Sequence, residues 1–235
     1  MIEGFKLTAE KIKRILKLSV HLPNDYYSSD KYYPLLLVFD GGVFFSYLNE
    51  DTKSVDLKEI LDKYNKEFIT IGLFKPRLEE WNISELNPYY SGNMEGVDIS
   101  YSLIFTEYVI NELIPLLKQK YRFNDNISVM GYDMGASTVI SILAKYDKIK
   151  KGIMFSLPFS EMNDLLFDDL YKIDNKTVYV YQGLKDIPDD IKDKYLKLNE
   201  YFENSNNTYY IDSDNHSTNT TDDIKVRIMN GLEII

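Results

Sequence analysis

"ISVMGYDMGAS", residues 127–137, carries the reading of the whole chain. "ISVMG" is a short apolar run with β-branched residues, as a buried strand requires, and "MGASTVISILAKY" behind it has helical spacing. Gly131 and Gly135 flank the junction, with Asp133 at its centre. A Gly-x-x-x-Gly turn between a strand and a helix is a setting in which a chemistry-bearing side chain can stand at the centre. Asp133 is therefore a candidate functional group.

Working outward, "YYPLLLVFDGG" holds a continuous apolar run, Leu35 to Phe39, stopped by Asp40-Gly41-Gly42. Such runs suit parallel strands buried on both faces. "EFITIGLF", "IKKGIMFSLP", "KTVYVYQG" and "NTYYIDS" read as further strands. Helical patterns separate them: "VDLKEILDKYN", roughly Ser100 to Lys120, "SEMNDLLFDDL", "PDDIKDKYLKLNEYFE" and "NTTDDIKVRIMNGLEII". "KIKRILKLSVHLP" alternates as a half-buried antiparallel strand does, and Lys75 to Asp98 reads as a long irregular loop. Strand–helix alternation from Tyr33 onward predicts an α/β fold, residues 1–235 as a single domain, with a mostly parallel central sheet and helices on both faces.

Composition narrows the chemistry. With 235 residues and a net charge of −10, the chain suits one α/β domain and repels phosphate, which argues against nucleic acid and anionic membrane as partners. It has no Cys, which removes a thiolate nucleophile and Cys-ligated metals. No signal peptide or membrane-spanning run is read from the sequence, and the expected location is cytoplasmic. No cofactor is implied, and the sequence gives no sign of an oligomeric state. Asp212, Asp214 and His216 alternate in "DSDNH"; an acidic loop explains them better than a metal site.

Ligands of open parallel sheets gather at the carboxyl ends of the strands. Four such ends carry reactive groups: Asp40-Gly41-Gly42, Asp133, Asp186 after "TVYVYQG" and His216 after "TYYIDS". The order Asp133, Asp186, His216 matches the nucleophile–acid–histidine order of the α/β-hydrolase fold. His21, the other histidine, lies in a strand pattern and reads as structural or solvent-facing.

Here the chain resembles a family: the putative-esterase group of α/β-hydrolases, which lacks a cap domain and includes esterase D-type and enterochelin-type esterases. "YYPLLLVFDGG", "ITIGLFKPR" with "LNPYY", "FTEYVINELIPLLKQKYRF" and "VMGYDMGAS" are similar to its motifs. The resemblance implies a catalytic set of Asp133, Asp186 and His216, and an oxyanion hole from the backbone amide of Met134 and that of Gly41 or Gly42. It also implies a pocket wall containing Arg77, Trp81, Tyr89 and Tyr90, and a small ester-like substrate. The departures are Asp133 in place of serine, Ala136 in place of glycine, and an Asp/Asn-rich His216 loop.

An aspartate at the elbow is already an anion near neutral pH unless burial raises its pKa. Attack on a carboxylic ester would build an adduct from which carboxylate leaves more readily than alkoxide, so the adduct falls back. Carboxylate nucleophiles succeed at alkyl carbon, as in haloalkane dehalogenases and epoxide hydrolases, but those carry Trp after the nucleophile and a cap before the acid. This chain has Met134 and one short helix there. Three readings stay open: hydrolysis of a small ester with Asp133 and His216 activating water, a non-catalytic protein binding a ligand or protein partner in the same pocket, and, behind these, attack of Asp133 on alkyl carbon as in dehalogenases and epoxide hydrolases. Ser137, one turn into the helix, reads as packing.

Overall fold

The computed structural model describes residues 2–45, 55–183, 185, 189–214 and 221–235. Among these, eight strands form one sheet: β1 (Ile2–Ala9), β2 (Arg14–His21), β3 (Tyr33–Phe39), β4 (Ile69–Leu73), β5 (Phe123–Tyr132), β6 (Lys151–Phe155), β7 (Thr177–Gly183) and β8 (Thr208–Asp214). Their order across the sheet is β1-β2-β4-β3-β5-β6-β7-β8. β3 to β8 run parallel, and β1 and β2 are added antiparallel at one edge. This is the mostly parallel sheet expected from the strand–helix alternation, in the α/β-hydrolase type of fold that the resemblance implies.

The sheet is covered on both sides because its central strands are apolar on both. Leu35, Leu37 and Phe39 of β3 join one core, with helix α6 (Met134–Lys145) supplying Val139, Ile140, Ile142 and Leu143. Leu36 and Val38 join the other, closed by α1 (Gly41–Phe44), α2 (Leu57–Lys63) and α9 (Thr221–Ile234). Between β6 and β7 lie one 3₁₀ turn, Phe159–Glu161, and α7 (Leu165–Leu170), and α8 (Asp189–Glu203) precedes β8. No described helix is long and apolar enough to cross a membrane.

Two elements differ from the sequence expectation. The antiparallel strand expected at the N-terminal alternation is present as β2, and a strand not read from the sequence, β1, precedes it: residues 10–13 turn, with the Lys13 amide donating to the Glu10 carbonyl and Lys13 at φ 49°, and β1 pairs along the whole of β2. The Lys75–Asp98 stretch contains a helix, α3 (Glu79–Leu86). Its local pattern is weak, and tertiary contacts hold it: Thr138 Oγ1 donates to the Leu86 carbonyl at 2.7 Å, and Ser84 Oγ accepts from the Asp98 amide at 2.9 Å. The long helix expected near Ser100 to Lys120 is present as α4 (Ser100–Tyr108), a π-helical turn at Val109–Leu113, and α5 (Ile114–Lys120).

His21 is buried, its Nε2 3.7 Å from Asp62 Oδ1 of α2, where it helps seat that helix on the sheet. Ser137 is fully buried against Met162.

The junction after β5 is sterically fixed. A Cβ on Gly131 would lie 2.2 Å from the Gly135 carbonyl oxygen, and one on Gly135 would lie 2.9 Å from the Phe39 carbonyl oxygen. We expect Gly131→Ala to lower unfolding stability by about 3 kcal/mol, the upper end of overpacking costs, in urea denaturation. A loss under about 0.5 kcal/mol, the range of an unconstrained surface site, would show that the turn has room to relax.

Candidate functional site

The strand register brings the chemistry to one edge. Phe39 pairs with Gly131 and Tyr132 with Phe155, so Asp40, Asp133 and Ser156 each follow the end of neighbouring strands β3, β5 and β6. All three have positive φ, at 59°, 53° and 53°. Side chains other than glycine are uncommon in that region, and their clustering at functional sites has a physical cause: the surrounding structure must hold them there.

Asp133 is the sharpest case. Its φ of 53° and ψ of −121° lie outside the helical wells of an L-residue. Backbone bonds on both sides fix it: its amide donates to the Phe155 carbonyl at 2.9 Å, and its own carbonyl accepts from Ala136 at 2.9 Å. The strand-to-helix turn is therefore built around an aspartate held in a strained backbone conformation.

Asp133 and Met134 are partly buried rather than sealed in the core. Met134 opens α6, whose first amides have no acceptor within the helix. Gly41 and Gly42 open α1 in the same way after β3. The Gly135–Phe39 contact presses these two helix starts together. Met134 and Gly41-Gly42 therefore each stand at a helix start that follows one of two adjacent, paired strands.

Tyr132 reports the electrostatics of this edge. Burial first, then the Asp133 charge, pushes its phenol up to about 12; Asp40 adds to the rise and a hydrogen bond with Ser156 opposes it. Asp40, Asp133 and Ser156 thus act on a single hydroxyl. Asp40 is 3% exposed, and burial raises its carboxyl against the opposing Lys75 charge, with Lys75 Nζ 2.9 Å from Oδ2. Tyr132, Ser156 and Lys75 were missed from sequence. The signal for Lys75 and Ser156 was their place just past apolar strands.

The expected wall residues divide. Arg77 is exposed, and Trp81 of α3 is 49% exposed with its ring edge-on to Tyr101. Tyr90 is half-buried, bridges to Met162 and accepts from the Met94 amide. Tyr89 is buried, and its hydroxyl donates to Asp169 at 2.9 Å, a carboxylate that also takes Lys145 and Lys172. It packs the segment from behind. Asp186 and His216 lie outside the described residues, as does the loop that follows β8.

α3 is anchored by a buried ion pair. Arg14 Nη2 lies 3.0 Å from Glu85 Oε1 and donates to the Phe74 carbonyl at 2.9 Å. Burial dominates the Arg14 charge and pushes the Glu85 carboxyl up to about 8.

The sequence of residues 9–229 matches the family described as Esterase, putative esterase. The chain belongs to the putative esterase family. Solved structures agree on the fold. An IroE-like serine hydrolase from Shewanella oneidensis superposes with a TM-score of 0.78 at 13% identity, over 99% of this chain and 79% of that one. The BES protein from Bacillus cereus gives 0.78 at 13% identity, over 99% and 95%. The enterobactin esterase from Shigella flexneri gives 0.77 at 14% identity, over 99% of this chain and 57% of that longer one. No curated protein sequence matches significantly. Against the family's Gly-x-Ser-x-Gly pattern, this putative esterase keeps the glycines and the strained turn and carries Asp133 between them.

Two outcomes follow. Asp133→Gly, which adopts positive φ freely, should gain about 1 kcal/mol of stability by releasing strain, read by urea denaturation; a loss would mean that Asp133 is unstrained. For Glu85, the folded pKa of about 8 exceeds the model-peptide value of 4.5, so the folded state binds more protons between those values. Its contribution to stability therefore falls as pH rises through that window. Relative to Glu85→Gln, the wild type should lose on the order of 2 kcal/mol between pH 5 and 8. A difference that stays constant with pH would place the Glu85 pKa near normal.

Proposed function

We propose that this chain hydrolyses small carboxylic esters at the Asp133 elbow, with Asp133 holding and polarising a water instead of forming a covalent intermediate. The observation that carries this reading is the elbow itself: its strained backbone holds an aspartate where a glycine would carry no strain. Such strain costs on the order of 1–3 kcal/mol and persists where the geometry is used. Family membership and the ester named for the Shigella flexneri enzyme support an ester as the substrate class.

The chemistry follows from leaving groups. A carboxylate that attacked the ester carbonyl would be expelled again in preference to alkoxide. A water oriented by the Asp133 carboxylate avoids that return. Its oxygen bonds to the carbonyl carbon while its proton passes to His216, which Asp186 orients. The carbonyl π electrons move onto oxygen, and the amides of Met134 and Gly41 or Gly42 receive the oxyanion, a role worth about 3–4 kcal/mol per donor in other hydrolases. Collapse re-forms the carbonyl and breaks the bond to the alkoxide, which takes the proton from His216. Asp133 returns unchanged. Trp81 and Arg77, exposed beyond β4, are suited to contact the acyl or alcohol portion.

Turnover of short-chain nitrophenyl esters tests this. Wild type should exceed both His216→Ala and Asp133→Asn by about 100-fold, the usual worth of a positioned base. Asp133→Ser should restore a covalent acyl-enzyme visible by mass. Wild type no faster than His216→Ala would instead assign the pocket to ligand binding without catalysis. A mass adduct on Asp133 with an alkyl halide or epoxide would move the chemistry to alkyl carbon.

A further inference from the structure

The Asp40–Gly41 turn is held from two sides by β4, and neither hold was evident in the sequence. From one side, Gly41 lies against the β4 backbone: a Cβ there would be 3.1 Å from both Cα and carbonyl carbon of Gly72. Gly72 is itself confined, since a Cβ on it would meet the Phe45 ring at 2.5 Å and Ser19 Oγ at 2.7 Å. From the other side, Lys75 Nζ reaches Asp40 Oδ2 at 2.9 Å.

Lys75 starts from a fixed point. The preceding residue, Phe74, donates its amide to the Lys17 carbonyl at 3.1 Å, and its carbonyl accepts from the buried Arg14 guanidinium at 2.9 Å. A continuous line of contacts thus runs from Glu85 of α3 through Arg14, Phe74 and Lys75 to Asp40.

The two partners of the pair are unequal. The Lys75 side chain is 41% exposed and that of Asp40 is 4% exposed. Asp40 Oδ1 is buried with no hydrogen-bond partner among the described residues, so Lys75 is the group that answers its charge. Asp40 also holds φ 59°, ψ 53°, a left-handed conformation, immediately before Gly41. Exposed ion pairs are usually weak, but removing one partner from a buried charge leaves that charge uncompensated. Without Lys75, the Asp40 carboxyl must leave its site or take up a proton, and its backbone turn carries Gly41 with it.

We infer that Lys75 and Asp40 are a positioning pair that sets the Asp40–Gly41 turn, and so the place of its backbone amides, for the reaction at Asp133. This rests on the ester-hydrolysis reading for its catalytic consequence. The hold on the turn itself does not depend on that reading.

Hydrogen–deuterium exchange and steady-state kinetics on the full chain test it together. Lys75→Met should speed exchange of the 39–45 amides by about tenfold while the β5–α6 amides stay as in wild type. It should also lower kcat by about 10–100-fold with KM within about twofold, since a misplaced hole donor acts on the transition state. Lys75→Arg should keep kcat within about threefold, and Lys75→Met with Asp40→Asn should regain most of the loss because no charge is left stranded. Unchanged exchange at 39–45 in Lys75→Met would overturn the pair, whether or not the wild type turns over esters. Faster exchange with unchanged kcat would overturn its catalytic part. Absence of turnover in wild type would count against the ester reading and leave the exchange result to decide the pair.

Discussion

The structure turns on one steric constraint: β5 must pass into α6 with no room for a Cβ at Gly131, and Asp133 takes the strain. The Gly131–Gly135 approach fixes the turn, and the Gly135–Phe39 contact seats it against β3. From that contact the rest of the edge follows. Because β3 and β5 are paired in register, Asp40 and the start of α1 come to lie beside Asp133 and the start of α6. Two helix starts and two carboxylates then share a corner that Tyr132 and Ser156 border. Function at this corner is a consequence of backbone placement as much as of side chains.

The same constraint explains why an aspartate there is informative. The close glycine approach imposes φ 53° on whichever residue stands at 133, and an aspartate stands there instead of the glycine that would carry no strain. The amide bond to Phe155 and the carbonyl bond from Ala136 keep the backbone in its strained state. What changes with the serine-to-aspartate substitution is the leaving-group balance. On the reading proposed above, the amides at the two helix starts serve the oxyanion, and the residue at the centre holds water instead of carrying an acyl group.

Much of this was legible in the sequence. The continuous apolar run of β3 announced a strand buried on both faces, and "VMGYDMGAS" announced a strand that turns directly into a helix, because an apolar run gives way there to helical spacing. What the sequence hid were features set by tertiary contact. The hairpin β1–β2 depends on Lys13 adopting positive φ, which lysine does not advertise. Helix α3 is held by Arg14, Thr138 and the Asp98 amide, partners outside its own pattern. The roles of Lys75 and Tyr132 come from register, and the inward turn of Tyr89 toward Asp169 comes from a network assembled by three elements. Asp186 and His216 were read from their places after strands, and those positions lie outside the described residues.

The central claim is that Asp133 directs water without becoming acylated. A single turnover with enzyme in excess over a nitrophenyl ester in ¹⁸O-water, followed by mass analysis of the product acid and of the peptide carrying Asp133, tests it most directly. The account predicts one ¹⁸O in the product acid and none in the Asp133 carboxylate. Label entering Asp133 would mean that the carboxylate had been covalently attached and released by water, and would contradict it.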